Sequence, residues 1–390
     1  MRNNSEIHGD VAGVVKYSCG IFFMLFCFVY IFCIHGEVLN EAQFVYSHGL
    51  TTYNPVVSAC VIAVVLQLTQ WVITRIVFFP QKIYALSYFV PALMLTMLAD
   101  INRNTIMEFS FGAWIWIAPM SVVLYFLTLV LVKKHFFENK ISHEQNVSVV
   151  LYSNHIILLV LFLIIGSVTA NTDVYHYELK AERLVTEHDY AAAAEVGNRS
   201  LKSSKRLSQI RMYALAKENM LPERMFSYPQ YYGVDGLLDV FDEKSPLYRL
   251  RVDDMCAQIG AVCGKTVKTT KRHLELIVYN DSLTTPMAID YYLCYLLLEK
   301  SLDEFYSKFF DLYECDTCRV PRAYQEALLL MSEMKGDSLY IIDNEIRDRF
   351  KAYKLLKAES LDSTKRRNKT RREYGDTYWW YYDFQKNGDG

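Results

Sequence analysis

The sequence predicts an all-α protein in two parts: a polytopic membrane region of about five helical spans, then an irregular stack of α-hairpins. Three observations carry this. Residues 1–170 hold eight Lys/Arg and eight Asp/Glu, and the remaining residues hold 33 and 35, the contrast expected when a membrane region is joined to a water-exposed domain. The first half contains five long apolar runs. The second shows apolar residues at steps of three and four with clear helix-end signals, and no long stretch alternates with period two. The net charge of −2 gives no electrostatic footprint for a nucleic-acid partner.

The apolar runs lie near 17–34, 55–79, 83–98, 111–132 and 148–170, against the ~20 residues that cross a ~30 Å hydrocarbon core. The first is too long for a signal-peptide core and lacks a small-x-small cleavage site before His35, so it reads as an anchor. The third is the shortest and contains Pro91, which fits a kinked or re-entrant segment as well as a span. Arg75 lies one turn from the end of the second run, where an arginine can snorkel to the surface. Basic residues alternate between ends. Arg2 and Lys16 precede the first run, and the loop 35–54 has no Lys or Arg. Lys82 follows the second run and Arg103 alone follows the third. Lys133, Lys134 and Lys140 follow the fourth. This pattern predicts a multi-pass protein of the inner (cytoplasmic) membrane with its N-terminus in the cytoplasm. The domain 171–360 would then be periplasmic or otherwise extracytoplasmic.

Within that domain, Ser245-Pro246 and Gly264 bracket one helix and Thr285-Pro286 opens the next. Ser301 and Glu304 have capping-box spacing, and Pro321 and Gly336 bracket a further helix. Leu339, Ile342, Ile346, Phe350, Tyr353 and Leu356 form one apolar face. Pro246, Pro286 and Pro321 are 40 and 35 residues apart, the size of a helical-hairpin repeat. Residues 174–205 resemble a tetratricopeptide unit, with Tyr177 and Ala181 in a first helix, Asp189-Tyr190 at the turn, and Ala193 and Ser200 in a second. Gly197 departs from that pattern, which usually has a large residue there. The stretches "YALAKENMLPERMFSYPQ" (213–230) and "YGDTYWWYYDF" (374–384), with "NEAQFVY" (40–46), resemble an uncharacterised family of multi-pass membrane proteins with a C-terminal tetratricopeptide-like region. This chain has fewer spans and a shorter first loop than the longer members. The resemblance implies an architecture and no activity.

Cys315 and Cys318 make the chain's one Cys-x-x-Cys pair. No strand precedes it, which argues against a thioredoxin-type centre. A zinc site needs two more ligands, for which Cys256 and Cys263 are candidates in a cytoplasmic setting. Outside the cytoplasm the pair reads as a disulfide pinning a turn. In an unbroken helix Cys256 and Cys263 stand about 10 Å apart, beyond disulfide reach unless Gly260 breaks the helix. Cys294 reads as a small buried hydrophobe. The histidines do not cluster at metal-ligand spacing, and no phosphate loop, zinc-protease motif or nucleophile elbow is present, so neither cofactor nor metal is expected.

Glu37 and Glu41 fall in the first outside loop, and Asp100 and Glu108 in the next. A membrane glycosyltransferase acting on a lipid-linked sugar needs such a carboxylate near the headgroups, as base or cation ligand. In the tail 361–390, Lys365, Arg366, Arg367, Arg371 and Arg372 precede Trp379 and Trp380. This pattern has two compatible readings, a tail seated on membrane lipids or an aromatic cap on the last hairpin. The function expected is a membrane-anchored scaffold whose concave repeat surface binds another envelope protein or a peptide. The alternative is the glycosyltransferase-like enzyme acting through Glu41 or Glu37. A thiol–disulfide role for Cys315 and Cys318 comes third.

Overall fold

The computed structural model describes residues 2–108, 110–138, 147–168, 173–238, 249–250, 252–260, 269–313, 319–336, 342–359 and 362–385. No strand occurs among them. The chain forms two units, Met1–Thr172 and Asp173–Gly390.

The first unit contains five helices long and apolar enough to cross a membrane. Helix α1 (Arg2–Tyr30) passes through a π-helical stretch (Ile31–His35) straight into α2 (Gly36–Tyr46). The segment expected as a first loop is therefore largely helix. The chain gains nothing by breaking there, because 35–46 contains no proline and its one glycine, Gly36, has helical dihedrals. Helix α3 (Pro55–Ile76) starts where Asn54 accepts the N–H groups of Val56 and Val57, both at 3.1 Å. Arg75, in its last turn, lies 5.0 Å from the Trp71 ring centroid.

The third span opens as a 3₁₀ helix (Gln81–Tyr88) and continues as α4 (Phe89–Ala99). Pro91 falls in the first turn of α4, where a helix tolerates the missing N–H. The 3₁₀ segment needs outside hydrogen bonds, since an unmet backbone group costs several kcal/mol in lipid. Helices α5 (Arg103–Glu108) and α6 (Trp114–Glu138) lead to α7 (Val147–Val168), which supplies them. The fully buried Asn154 accepts from Ala85 N–H at 2.7 Å and donates to Gln81 O at 2.8 Å, and Ser153 donates to Lys82 O at 2.9 Å. Small residues such as Ala59, Ala63, Ala85 and Ala92 fill the core between the spans, as helices associating in lipid require.

The second unit contains α8 (Asp173–Thr186), α9 (Tyr190–Glu195), α10 (Lys205–Lys217), α11 (Leu221–Arg224), α12 (Val252–Gln258), α13 (Thr270–Val278), α14 (Pro286–Glu299), α15 (Leu302–Leu312), α16 (Arg322–Lys335), α17 (Asn344–Ala358), α18 (Ser363–Tyr374) and α19 (Tyr378–Phe384). From α13 onward each helix packs on the next, while α11 touches both α14 and α16. Helix α14 is the centre: Tyr291 through Leu298 are all buried, including Cys294, which carries a free thiol.

Several sequence expectations change here. Helix α9 has only six residues. It ends because Gly197, at φ +67°, turns the chain, and a Cβ there would stand 2.8 Å from the Tyr177 ring. Ser200 therefore lies past the helix. Ser301 and Glu304 form no capping box. The Ser301 hydroxyl donates to Glu299 at 2.9 Å, and Glu304 takes the Lys271 ammonium at 2.7 Å. Ile342 is buried but precedes α17. Ser245, Pro246, Gly264, Leu339 and the pair Cys315 and Cys318 lie outside the described residues. Cys256 is buried.

The tail 361–390 is not a membrane-surface anchor through its tryptophans. Trp379 is 0 % exposed and Trp380 4 % exposed within the second unit's own fold. The aromatic face of α19 covers the apolar end of α16 and α17 instead, since leaving it in water would forfeit far more burial than interface seating returns.

Candidate functional site

The tail is fixed from α16 outward. Glu326, 2 % exposed, accepts the Tyr378 N–H at 2.6 Å and the Arg322 Nε–H at 2.8 Å, while its backbone carbonyl accepts the Trp379 indole N–H at 2.8 Å. Burial pushes the Glu326 carboxyl up to about 7, against the lowering effect of Arg322. Arg322 also donates to Asp376 at 2.9 Å, and Arg349 donates to the other Asp376 oxygen at 2.6 Å. Burial raises the Asp376 carboxyl and the two arginines outweigh it, so it stays below its ordinary value. The turn between α18 and α19 needs Gly375 for space: a Cβ there would stand 2.4 Å from the Arg371 carbonyl oxygen.

The segment 226–230 is held from the other side. Arg211, 2 % exposed, donates to the carbonyls of Ala194 and Val196 at 3.1 and 2.7 Å and lies 4.4 Å from the Tyr228 ring centroid. Burial lowers its guanidinium to about 10, leaving it charged at neutral pH. Arg224 bonds Glu195 and donates to the Tyr228 hydroxyl at 2.9 Å. Its hydrogen bond to Glu195 keeps that carboxyl below the usual range.

These two assemblies meet. The Phe226 ring lies tilted against Tyr378 and Tyr381, with centroids 5.3 and 5.1 Å away, so the stretches 213–230 and 374–384 come into direct contact. Between them, with the turn 198–201, lies a cleft of about 380 Å³. Its floor is aromatic, from Tyr228, Trp380 and Tyr381, and Arg371 and Arg372 stand at its side. The Arg371 guanidinium lies 5.4 Å from the Trp380 ring centroid and donates to the Tyr231 hydroxyl at 2.7 Å. Arg372 is exposed. Asp376 lines the cleft too, but Arg322 and Arg349 already occupy both its oxygens.

Two buried polar atoms of cleft residues have no partner among the described residues. They are the Trp380 Nε1–H, a donor, and the Gln230 Oε1, an acceptor. Gln230 is itself only 4 % exposed, and its amide nitrogen is used, donating to the Met225 carbonyl at 2.6 Å. A buried polar group left unmet costs about 1–3 kcal/mol. A site with one spare donor, one spare acceptor, two arginines and an aromatic floor is suited to holding an anionic, partly planar group.

Of the residues singled out from the sequence, Arg371, Arg372 and Trp380 join this cleft, while Lys365, Arg366 and Arg367 lie earlier on α18 and do not line it. Gln230, Asn198 and Asn368 were missed. The signal for the first lay in the quoted stretch 213–230, whose contact with the tail spans about 150 residues of chain. Glu37 and Glu41 sit on α2 rather than in a loop, and Glu41 is 1 % exposed. The first unit has a cavity of about 760 Å³ between the ends of α4, α6 and α7. Asp100 and Glu108 line it, and neither Glu37 nor Glu41 does. No cluster of three or more metal-ligating side chains occurs among the described residues.

A family model described as a family of unknown function (DUF6057) matches residues 102–263 and 265–385. No curated protein and no solved structure matches the chain. The family match runs from the end of the third span through the cleft to its last lining residue, well over half of the sequence, and the chain therefore belongs to this family of unknown function.

Proposed function

We propose that this protein is a membrane-anchored helical scaffold whose second unit holds an anionic segment of a partner protein in the cleft between 226–230 and α18–α19. The observation that carries this is the donor of Trp380 and the acceptor of Gln230, both unmet among the described residues, in a cleft whose two arginines share its lining with one acid, Asp376, already held by Arg322 and Arg349. The successive packing of α13 to α19 supports a tetratricopeptide-like ancestry of the unit. The alternation of basic residues supports placing the N-terminus in the cytoplasm and the second unit outside it. Glu41 is buried and does not line the cavity that Asp100 and Glu108 line, which favours the scaffold reading over the glycosyltransferase-like one.

The test is photo-cross-linking in intact cells from probes placed at Leu201 and Asn368, which line the cleft, with Lys351 on α17 as control. A discrete adduct from both cleft positions, absent from the control and lost in Arg371→Glu and Arg372→Glu, is expected. Adducts that survive both charge reversals, or that form equally from the control position, would sink the reading. Glu37→Gln and Glu41→Gln are expected to leave the adduct intact.

A further inference from the structure

The cavity of the first unit has a different chemistry. Its walls are apolar, from Leu93 on α4, Ile117 on α6 and Ile164 on α7. It lies where α4 ends, α6 begins and α7 ends, so all three span termini meet at one end of the unit. That end is lined by polar side chains, Asp100, Asn102, Asn104, Thr105, Glu108 and Ser110. The volume of about 760 Å³ falls within the ~300–1,000 Å³ of ordinary ligand sites. An apolar shaft at the end of a membrane span, with a polar stop, is the shape of a site for one chain of an amphiphile.

The head-group end specifies charge. Asp100 follows α4 directly, and one carboxylate oxygen accepts the Trp114 indole N–H at 2.8 Å. The other, Oδ1, is buried and has no donor among the described residues. Glu108 is a second lining carboxylate. No lysine or arginine lines the cavity. The Asn102 side-chain oxygen is already taken by the Thr105 N–H and hydroxyl, at 3.1 and 3.2 Å. What the cavity itself lacks, among the described residues, is a donor for Asp100 Oδ1.

We propose that the cavity binds an amphiphile bearing a primary ammonium, with its chain between α4, α6 and α7 and its N–H groups donating to Asp100 Oδ1 and towards Glu108. A primary ammonium brings three donors and a positive charge. A quaternary ammonium of the same charge brings no donor and leaves Asp100 Oδ1 unmet. An anionic head meets two like charges. This site is independent of the cleft in the second unit and of the reading drawn from it.

The experiment is native mass spectrometry of the detergent-solubilised full chain with phosphatidylethanolamine, its mono-, di- and trimethylated derivatives and phosphatidylglycerol, all with the same acyl chains. Retention is expected to fall with each methyl group, by about tenfold or more over the series, the size of a charge-assisted hydrogen bond. Phosphatidylglycerol should bind no better than the trimethylated lipid. Asp100→Asn should flatten the series while leaving one lipid bound. Glu108→Gln should flatten it in part, and serves if Asp100→Asn does not fold. Equal retention of all five lipids would show an apolar slot filled by any chain, and would overturn the proposal. A preference for phosphatidylglycerol, or a methylation series unchanged in both variants, would overturn it too.

Discussion

Arg371 and Glu326 show how single side chains set this protein's second unit. Arg371 is placed by Tyr231 and Trp380, and no ion pair joins it to a carboxylate among the described residues. Trp380→Phe keeps the ring beneath the guanidinium and removes the indole N–H. Cross-link yield from Asn368 should therefore fall while the thermal midpoint stays within a few degrees, because the lost N–H has no partner to abandon among the described residues. Glu326 titrates at about 7 in the folded unit, against an ordinary value of ~4.3. Between those values the folded state binds more protons than the unfolded chain, so this group's contribution is full below ~4.3 and is lost as pH rises through about 7. Asp290, raised to about 6 by burial, acts in the same direction. His273, held below its ordinary value by burial, acts in the opposite direction, so the readout is the difference between proteins: across this range the thermal midpoint of Glu326→Gln should decline less steeply, or rise more, than that of the parent chain. A steeper decline in the variant would contradict the assignment.

Among the elements, the turn between α18 and α19 and the 3₁₀ opening of the third span are the most sensitive. Gly375→Ala drives a methyl into the Arg371 carbonyl. It should cost about 1–3 kcal/mol, as overpacking does, and appear as a lower thermal midpoint and earlier proteolysis of the tail. Asn154 serves the 3₁₀ helix with both halves of its amide. Asn154→Ala leaves the Ala85 N–H and the Gln81 carbonyl unmet, each worth about 1–3 kcal/mol. Circular dichroism in detergent should show the loss as a lower melting temperature, and Asn154→Gln should not restore it, because the longer side chain misplaces both groups.

At the scale of the whole molecule, five helices are long and apolar enough to cross a membrane, and the proposed arrangement, in which all five cross, has an odd number of crossings. Reporters fused before α1 and after α19 should therefore read opposite sides of the membrane, with the first in the cytoplasm. Two reporters on one side would remove a span, and the third is the one in question, since its first eight residues are 3₁₀ rather than α. The second unit holds its own core, which includes Ala181 and Tyr381.

Composition and local pattern were enough to read the five apolar helices, the all-helical class and most helix ends, such as Thr285 before Pro286 and Gly336 after α16. These are local because a span meets its backbone hydrogen bonds internally and a cap acts within one turn. Local spacing misled at Ser301 and Glu304, where Glu299 and Lys271 offered stronger charged partners than the helix N–H groups did. It was silent on the cleft. Basic residues beside tryptophans look the same whether they face a membrane or a core. What decides is which apolar surface lies open nearby, and that surface belongs to α16 and α17. The sequence by itself determined how this chain makes helices and which of them suit a membrane. Only the tertiary structure decided that Trp379 and Trp380 are interior, that Gln230 and Trp380 share a cleft, and that Asp100 lines a cavity between α4, α6 and α7, because each depends on contacts between segments distant in the chain.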